Sequence, residues 1–134
     1  MIKDIPQPKV EDVALAVVPP TTEPDTDLWD VYLLNLKDTP LQNVLIAAKG
    51  YGEMEGENRR TTVLRHFFPA IGPRQSVKIE PIAPDVFDLA NEYWVSFTLE
   101  GHMYDKKYVF VKGSIHERYF TRIPLIDSMG VMIK

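Results

Sequence analysis

Residues 92–112 read Glu92-Tyr93-Trp94-Val95-Ser96-Phe97-Thr98-Leu99-Glu100-Gly101-His102-Met103-Tyr104-Asp105-Lys106-Lys107-Tyr108-Val109-Phe110-Val111-Lys112. Two runs rich in aromatic and β-branched residues flank a short polar break, which is the pattern of a β-hairpin. Gly101 suits the first position of a two-residue loop, because a positive φ costs glycine nothing. That loop sets Leu99 opposite Tyr104, Phe97 opposite Lys106, Val95 opposite Tyr108 and Tyr93 opposite Phe110. The resulting face is almost wholly apolar and is assigned to the core. The reverse face pairs Thr98 with Asp105, Ser96 with Lys107 and Trp94 with Val109. Its tip is polar, but Trp94, Val109 and Val111 make its base too apolar to stand wholly in water, so a cover is expected there.

Beyond the hairpin, 11 prolines and 7 glycines divide the chain into apolar runs of strand length, and no stretch holds a 3.6-residue apolar period over three turns. Seven strands are predicted: Val10 to Val18, Leu28 to Leu36, Leu41 to Lys49, Thr62 to Phe68, Ser76 to Ile82, Glu92 to Leu99 and Tyr104 to Lys112. Lys37-Asp38-Thr39-Pro40 is turn chemistry, Gly50 to Asn58 reads as a long polar excursion, and Pro84 to Leu89 suits a single helical turn with Asp85 near its start. In the second strand Trp29, Val31 and Leu33 point one way while Tyr32, Leu34 and Leu36 point the other, so both faces are expected to be buried. The fold class that follows is all-β: an antiparallel β-sandwich of about seven strands with one short helical turn.

At 134 residues one domain is accommodated and two are not. The expected division is a flexible leader over 1–9, a sandwich over 10–112, and a tail over 113–134. The tail carries Ile123, Leu125, Ile126, Met129, Val131, Met132 and Ile133. Left exposed it would be an aggregation hazard, so it is expected to pack on the domain or on a second copy.

The formal net charge of −4 gives no global attraction to nucleic acid or anionic lipid. The charge is blocked along the chain. Residues 59–78 hold Arg59, Arg60, Arg65, Arg74 and Lys78 with no acid, whereas 79–105 hold six acids with no Lys or Arg. In an antiparallel fold such blocks pair neighbouring strands. No Cys is present, which excludes thiol catalysis and thiolate metal sites and suits a reducing compartment. The start lacks the layout of a secretory signal and no run is long enough to span a bilayer, so a cytoplasmic protein without membrane contact is expected.

Candidate sites are weak. Gly50-Tyr51-Gly52-Glu53-Met54-Glu55-Gly56 has the wrong spacing for a phosphate cradle, and its two Glu would repel phosphate. Glu53, Glu55 and Glu57, or Asp25, Asp27 and Asp30, offer oxygens to a hard cation, but neither set has EF-hand spacing. His66, His102 and His116 form no pair at metal-ligand spacing. Ser114 and His116 lack an orienting third group. Lys106 to Val111, and the Arg59, Arg60, Arg65, Phe67 and Phe68 cluster, are basic and aromatic without the glycines of an RNA-recognition strand. No catalytic residue, metal, cofactor or nucleic-acid partner is therefore assigned.

Trp29-Asp30-Val31-Tyr32-Leu33-Leu34-Asn35-Leu36, Val63-Leu64-Arg65-His66-Phe67-Phe68, Asn91-Glu92-Tyr93-Trp94-Val95-Ser96-Phe97 and Tyr104-Asp105-Lys106-Lys107-Tyr108-Val109-Phe110 together resemble a family of short, uncharacterised bacterial proteins, over most of the chain. Some members of that family carry a phenylalanyl-tRNA synthetase subunit label. The resemblance carries over no functional residues, and no ATP or tRNA motif accompanies it here, so synthetase activity is not expected. At the level of fold, the strand spacing, the helical turn before Glu92 and Tyr93 near the start of its strand resemble an immunoglobulin or fibronectin type III sandwich without the cysteine pair.

These readings converge on a non-enzymatic sandwich that binds protein, either a partner or a second copy. The candidate interaction surface is Trp94, Tyr32, Val109, Val111, Ile123, Leu125 and Ile126. The alternative is a small-molecule or carbohydrate module that stacks its ligand on an aromatic patch.

Overall fold

Alternating apolar runs can bury one face each only by stacking as sheets, and the computed structural model, which describes residues 9–20 and 26–134, shows two antiparallel sheets and almost no helix. The predicted leader up to residue 8, and residues 21–25 of the acidic loop with Asp25, lie outside the described residues. The strands are β1 Val13–Val18, β2 Trp29–Asn35, β3 Leu41–Met54, β4 Glu57–Arg60, β5 Leu64–Ile71, β6 Gln75–Ile82, β7 Ala90–Leu99, β8 His102–Phe110, β9 Thr121–Ile123 and β10 Ser128–Ile133. One sheet has the order β6-β2-β1-β10-β9 and the other β4-β3-β7-β8, with β5 beside β4 along the same edge of β3. The predicted helical turn is a 3₁₀ turn over Pro84–Asp88.

Between the sheets lie Val13, Leu15 and Val17 of β1, Val31 and Leu33 of β2, Val44 and Ile46 of β3, and Tyr93, Val95, Phe97, Tyr108 and Phe110 of the hairpin. Tyr108 ties the layers together, its Oη donating to the Val13 carbonyl at 2.7 Å. Trp29 fills one end, edge-on to Phe87 at 5.1 Å and Phe120 at 5.9 Å.

The hairpin register differs from the predicted one. Leu99 pairs with His102, Phe97 with Tyr104, Val95 with Lys106 and Tyr93 with Tyr108. The loop is Glu100-Gly101, with φ of 52° and 80°, so glycine takes the second central position and Glu100 accepts a left-handed conformation. Two positive φ values match the twist of the flanking strands, which is what this turn type supplies. The difference is an even number of residues, and parity is therefore kept: Tyr93, Val95, Phe97, Tyr108 and Phe110 are buried and Lys107 is exposed, although Ser96 and Thr98 are half-buried.

Gly50 to Asn58 is not a loop excursion. Gly50–Met54 continues β3 and pairs with β4, so that Tyr51 meets Arg60 and Met54 meets Glu57 around a Glu55-Gly56 turn, again with both φ positive. Its polar side chains concealed the strand because both faces of this ribbon meet water.

The end of the chain is built into the first sheet. β10 pairs with β1, Leu15 opposite Ile133 and Val17 opposite Val131, and β9 pairs with β10. Close approach requires Gly130, since a Cβ there would sit 2.4 Å from the Val17 carbonyl oxygen. Along the outward side of this sheet, Ala14, Ala16, Val18 and Leu34 are buried with Ile123, and Tyr32, Leu36, Ile126 and Met132 pack against them. The two-sided burial read for the second strand thus has its cover within the same chain.

One irregularity positions the site. β2 pairs Val31 with Glu80 but Tyr32 with Lys78, leaving Ile79 as the extra residue of a β-bulge. Alternation along β6 is inverted past that point, and Glu80 takes the inward side, opposite the fully buried Val31.

Candidate functional site

The predicted interaction surface falls into separate places. Trp94 and Val109 lie on the outward face of the β5-β3-β7-β8 layer, and Val111, just past β8, is exposed. Tyr32, Ile123 and Ile126 belong to the apolar cluster on the outward side of the opposite sheet, with Ile123 fully buried. Leu125 is exposed in the turn between β9 and β10. Tyr32, Ile123 and Ile126 therefore do not extend the Trp94 surface, because strands in different sheets turn their polar-side positions to opposite poles of a sandwich. The cover expected over Trp94 and Val111 is not supplied by the described residues.

Around Trp94 the register builds a defined face. One row runs Phe67-Leu45-Ser96-Asp105 across β5, β3, β7 and β8, and the next runs Arg65-Ala47-Trp94-Lys107. Phe67 is 58% exposed, Leu45 44% and Trp94 46%. The Lys107 ammonium lies 5.3 Å from the Trp94 ring centroid. In the third row Glu92 is buried, with Lys49 Nζ at 3.6 Å, Lys107 Nζ at 3.9 Å and the Tyr51 hydroxyl donating at 3.3 Å. Desolvation first, and the Glu92 charge second, push the Tyr51 phenol above its ordinary value. Glu92 thus fixes two ammonium groups beside an exposed indole. A shallow cavity of about 300 Å³ bounded by Lys49, Tyr51 and Arg60 continues the face.

A second arrangement was not read from the sequence. His66 on β5 and Glu80 on β6 meet across the open end between the sheets, Nε2 to Oε1 at 2.7 Å, and Tyr93 Oη donates to Glu80 Oε2 at 3.2 Å. Burial, then the adjacent Glu80 charge, hold the Tyr93 phenol far above its usual range. Glu80 and Tyr93 line a cavity of about 260 Å³. The three residues are far apart in sequence, and only the bulge at Ile79 turns Glu80 toward the others.

The remaining candidates stay apart. His102 lies at the exposed tip of the hairpin. Ser114 Oγ donates to the Val111 carbonyl, whereas His116 Nδ1 accepts from the Arg118 amide, so neither addresses the other. Glu53, Glu55 and Glu57 are exposed around the β3–β4 turn. Among the described residues no group of three His, Asp or Glu side chains is placed to hold a metal ion, and no helix is long and apolar enough to cross a membrane. Compared with protein-family models, curated proteins and solved structures, the chain matches none.

Proposed function

We propose that this chain is a non-enzymatic binding protein with an immunoglobulin-like sandwich, and that the outward face of its β5-β3-β7-β8 layer docks an acidic segment of another protein. The strand orders β6-β2-β1 and β5-β3-β7-β8 support the fold reading, with β9 and β10 as an addition beside β1. The carrying observation is the exposure of Phe67, Leu45 and Trp94 on three adjacent strands, flanked by Arg65, Lys49 and Lys107. Aromatic and Arg side chains in this mixture are the usual anchors of protein interfaces. Four strands about 4.8 Å apart and seven residues of β3 at about 3.4 Å each make a face roughly 20 Å on a side. That is the scale of a functional patch and part of the ~800 Å² each partner contributes to a standard interface. Local charge selects the partner's sign, since Arg65, Lys49 and Lys107 outnumber Glu92 and the exposed Asp105 on this face. A cytoplasmic setting belongs to this reading, in keeping with a chain that contains no cysteine.

The test is a nuclear magnetic resonance titration with an extended Glu-Val repeat peptide and its Lys-Val counterpart. The acidic peptide is expected to give saturable shifts at Ala47, Trp94 and Lys107 that Trp94→Ala abolishes. Absence of shifts, equal binding of the basic peptide, or a dimer in sedimentation held together through this face would overturn the proposal. Calorimetry with ATP, phenylalanine and tRNA is expected to show no heat, and micromolar affinity for any of them would overturn the non-enzymatic reading.

A further inference from the structure

We propose that the cleft between β3, β5 and β6 is a binding site for a small organic cation, a primary alkylammonium whose charge is held by Glu80. The bulge at Ile79 places this carboxylate on the inward side, where its side chain is only 13% exposed. Without the extra residue, Glu80 would share the outward side with Lys78, in water. Bulges recur where a side chain is re-aimed toward a site. Removing a carboxylate from water is costly unless it is paired, and the one basic partner of Glu80 among the described residues is His66, at 2.7 Å, which makes an ion pair only while its imidazole is protonated. Glu80 accepts one hydrogen bond at each oxygen, from Tyr93 and His66, which leaves lone-pair capacity on both.

Among the described residues the other sheltered carboxylates are matched by Lys: Glu92 by Lys49 and Lys107, Asp30 by Lys78. Among the described residues no Lys or Arg nitrogen comes within 4.0 Å of Glu80. Lys49 borders the cavity, but its ammonium is committed to Glu92 on the other side of the sheet. The 3₁₀ turn that walls the cavity through Val86 also carries Asp85 and Asp88, both exposed and outside the lining.

The rest of the lining sets the ligand's size and character. Ala48 and Gly50 make a low floor, and Leu64, Ile82 and Val86 make apolar walls. Gly50 keeps the floor open, since a Cβ there would crowd Thr61 and Asn91 at 3.1 and 3.2 Å. The cavity, about 260 Å³, lies just below the roughly 300–1,000 Å³ of drug-sized sites, so a ligand of a few heavy atoms fits. One carboxylate beside a short apolar channel is the complement of an ammonium on a short alkyl chain. A divalent cation would need further oxygen or nitrogen ligands, and among the described residues no third His, Asp or Glu joins Glu80 and His66.

The experiment is a titration of the labelled full chain with n-butylammonium, 1-butanol and butyrate, followed by amide resonances. Butylammonium is expected to give saturable shifts at Ala48, Leu64, Glu80 and Asn91, while the neutral and anionic isosteres do not. Glu80→Gln keeps the shape and can still accept from Tyr93, and it should weaken binding by roughly tenfold or more. Thr62→Trp, at an exposed position on the rim, should block binding while leaving the carboxylate and the folded spectrum in place. No saturation with butylammonium, equal response to butanol, or undiminished binding by either variant would overturn the assignment.

Discussion

Gly130→Ala tests whether the last strand is a structural part of the sandwich. The added Cβ would lie 2.4 Å from the Val17 carbonyl oxygen and 3.2 Å from Val18 Cγ2. Carbon and carbonyl oxygen ordinarily approach no closer than ~3.3 Å, so β10 must withdraw from β1 by roughly 1 Å. Two backbone groups meet here, and neither can rotate away as a side chain would. That withdrawal takes neighbouring ladder hydrogen bonds past ~3.2 Å, at about 1 kcal/mol for each one lost. Overpacking adds ~1–3 kcal/mol, which gives a destabilisation of roughly 2–4 kcal/mol. Urea denaturation followed by tryptophan fluorescence measures it, with Met129→Ala, an exposed neighbour, as a control expected to fall within about 0.5 kcal/mol. A chain ending at Arg122 should aggregate, because Ala14, Ala16 and Leu34 lose their cover. A Gly130→Ala protein within about 0.5 kcal/mol of the parent, or a truncated chain that stays soluble and fully stable, would refute the docking of β10 on β1.

Phe97, fully buried and stacked on Tyr104 at 5.4 Å, should cost ~3–5 kcal/mol when truncated to Ala in the same assay. Lys107→Ala should change stability by about 0.5 kcal/mol or less, because its ammonium is exposed and Lys49 still serves Glu92. Alkaline stability follows from Tyr93 and Tyr108, whose phenols burial holds well above the ordinary value of 10.0. Once unfolded, they ionise near that value while the folded chain keeps its protons, so stability is full below it and falls as pH rises beyond it. The urea midpoint should drop across that range, and Tyr108→Phe should flatten the slope. An unchanged slope would mean that the phenol of Tyr108 is not enclosed.

The hairpin shows how the sequence can determine sides without determining partners. Alternation in 92–99 and 104–110 fixes which side chains go inward, and a register difference of two residues leaves that untouched. The turn itself was illegible because Glu100 carries a left-handed φ that its residue type does not announce. β4 was hidden for another reason: Glu57-Asn58-Arg59-Arg60 is exposed throughout, so no apolar period marks it. The error at the interaction surface was one of assignment to sheets. Trp94 and Tyr32 both stand on outward faces, and nothing in either strand says that these belong to opposite layers. Glu80 escaped notice because a bulge is a property of the paired strands, and Lys78-Ile79-Glu80 read alone alternates normally.

The pairing of β1 with β10 also has a consequence in time. Leu15 and Ile133 are neighbours in the sheet yet stand more than a hundred residues apart along the chain. On a ribosome, β1 emerges before the other described strands, and its second edge must wait until β10 has been made. Such late, long-range closure slows folding and lengthens the interval in which an apolar strand can meet a neighbouring nascent chain. The same adjacency suggests a remedy that can be built: a short polar linker from Lys134 back to the start of β1, with new ends opened at the exposed Glu55-Gly56 turn. In that permuted chain β10 and β1 would form a local hairpin, available as soon as both had left the exit tunnel.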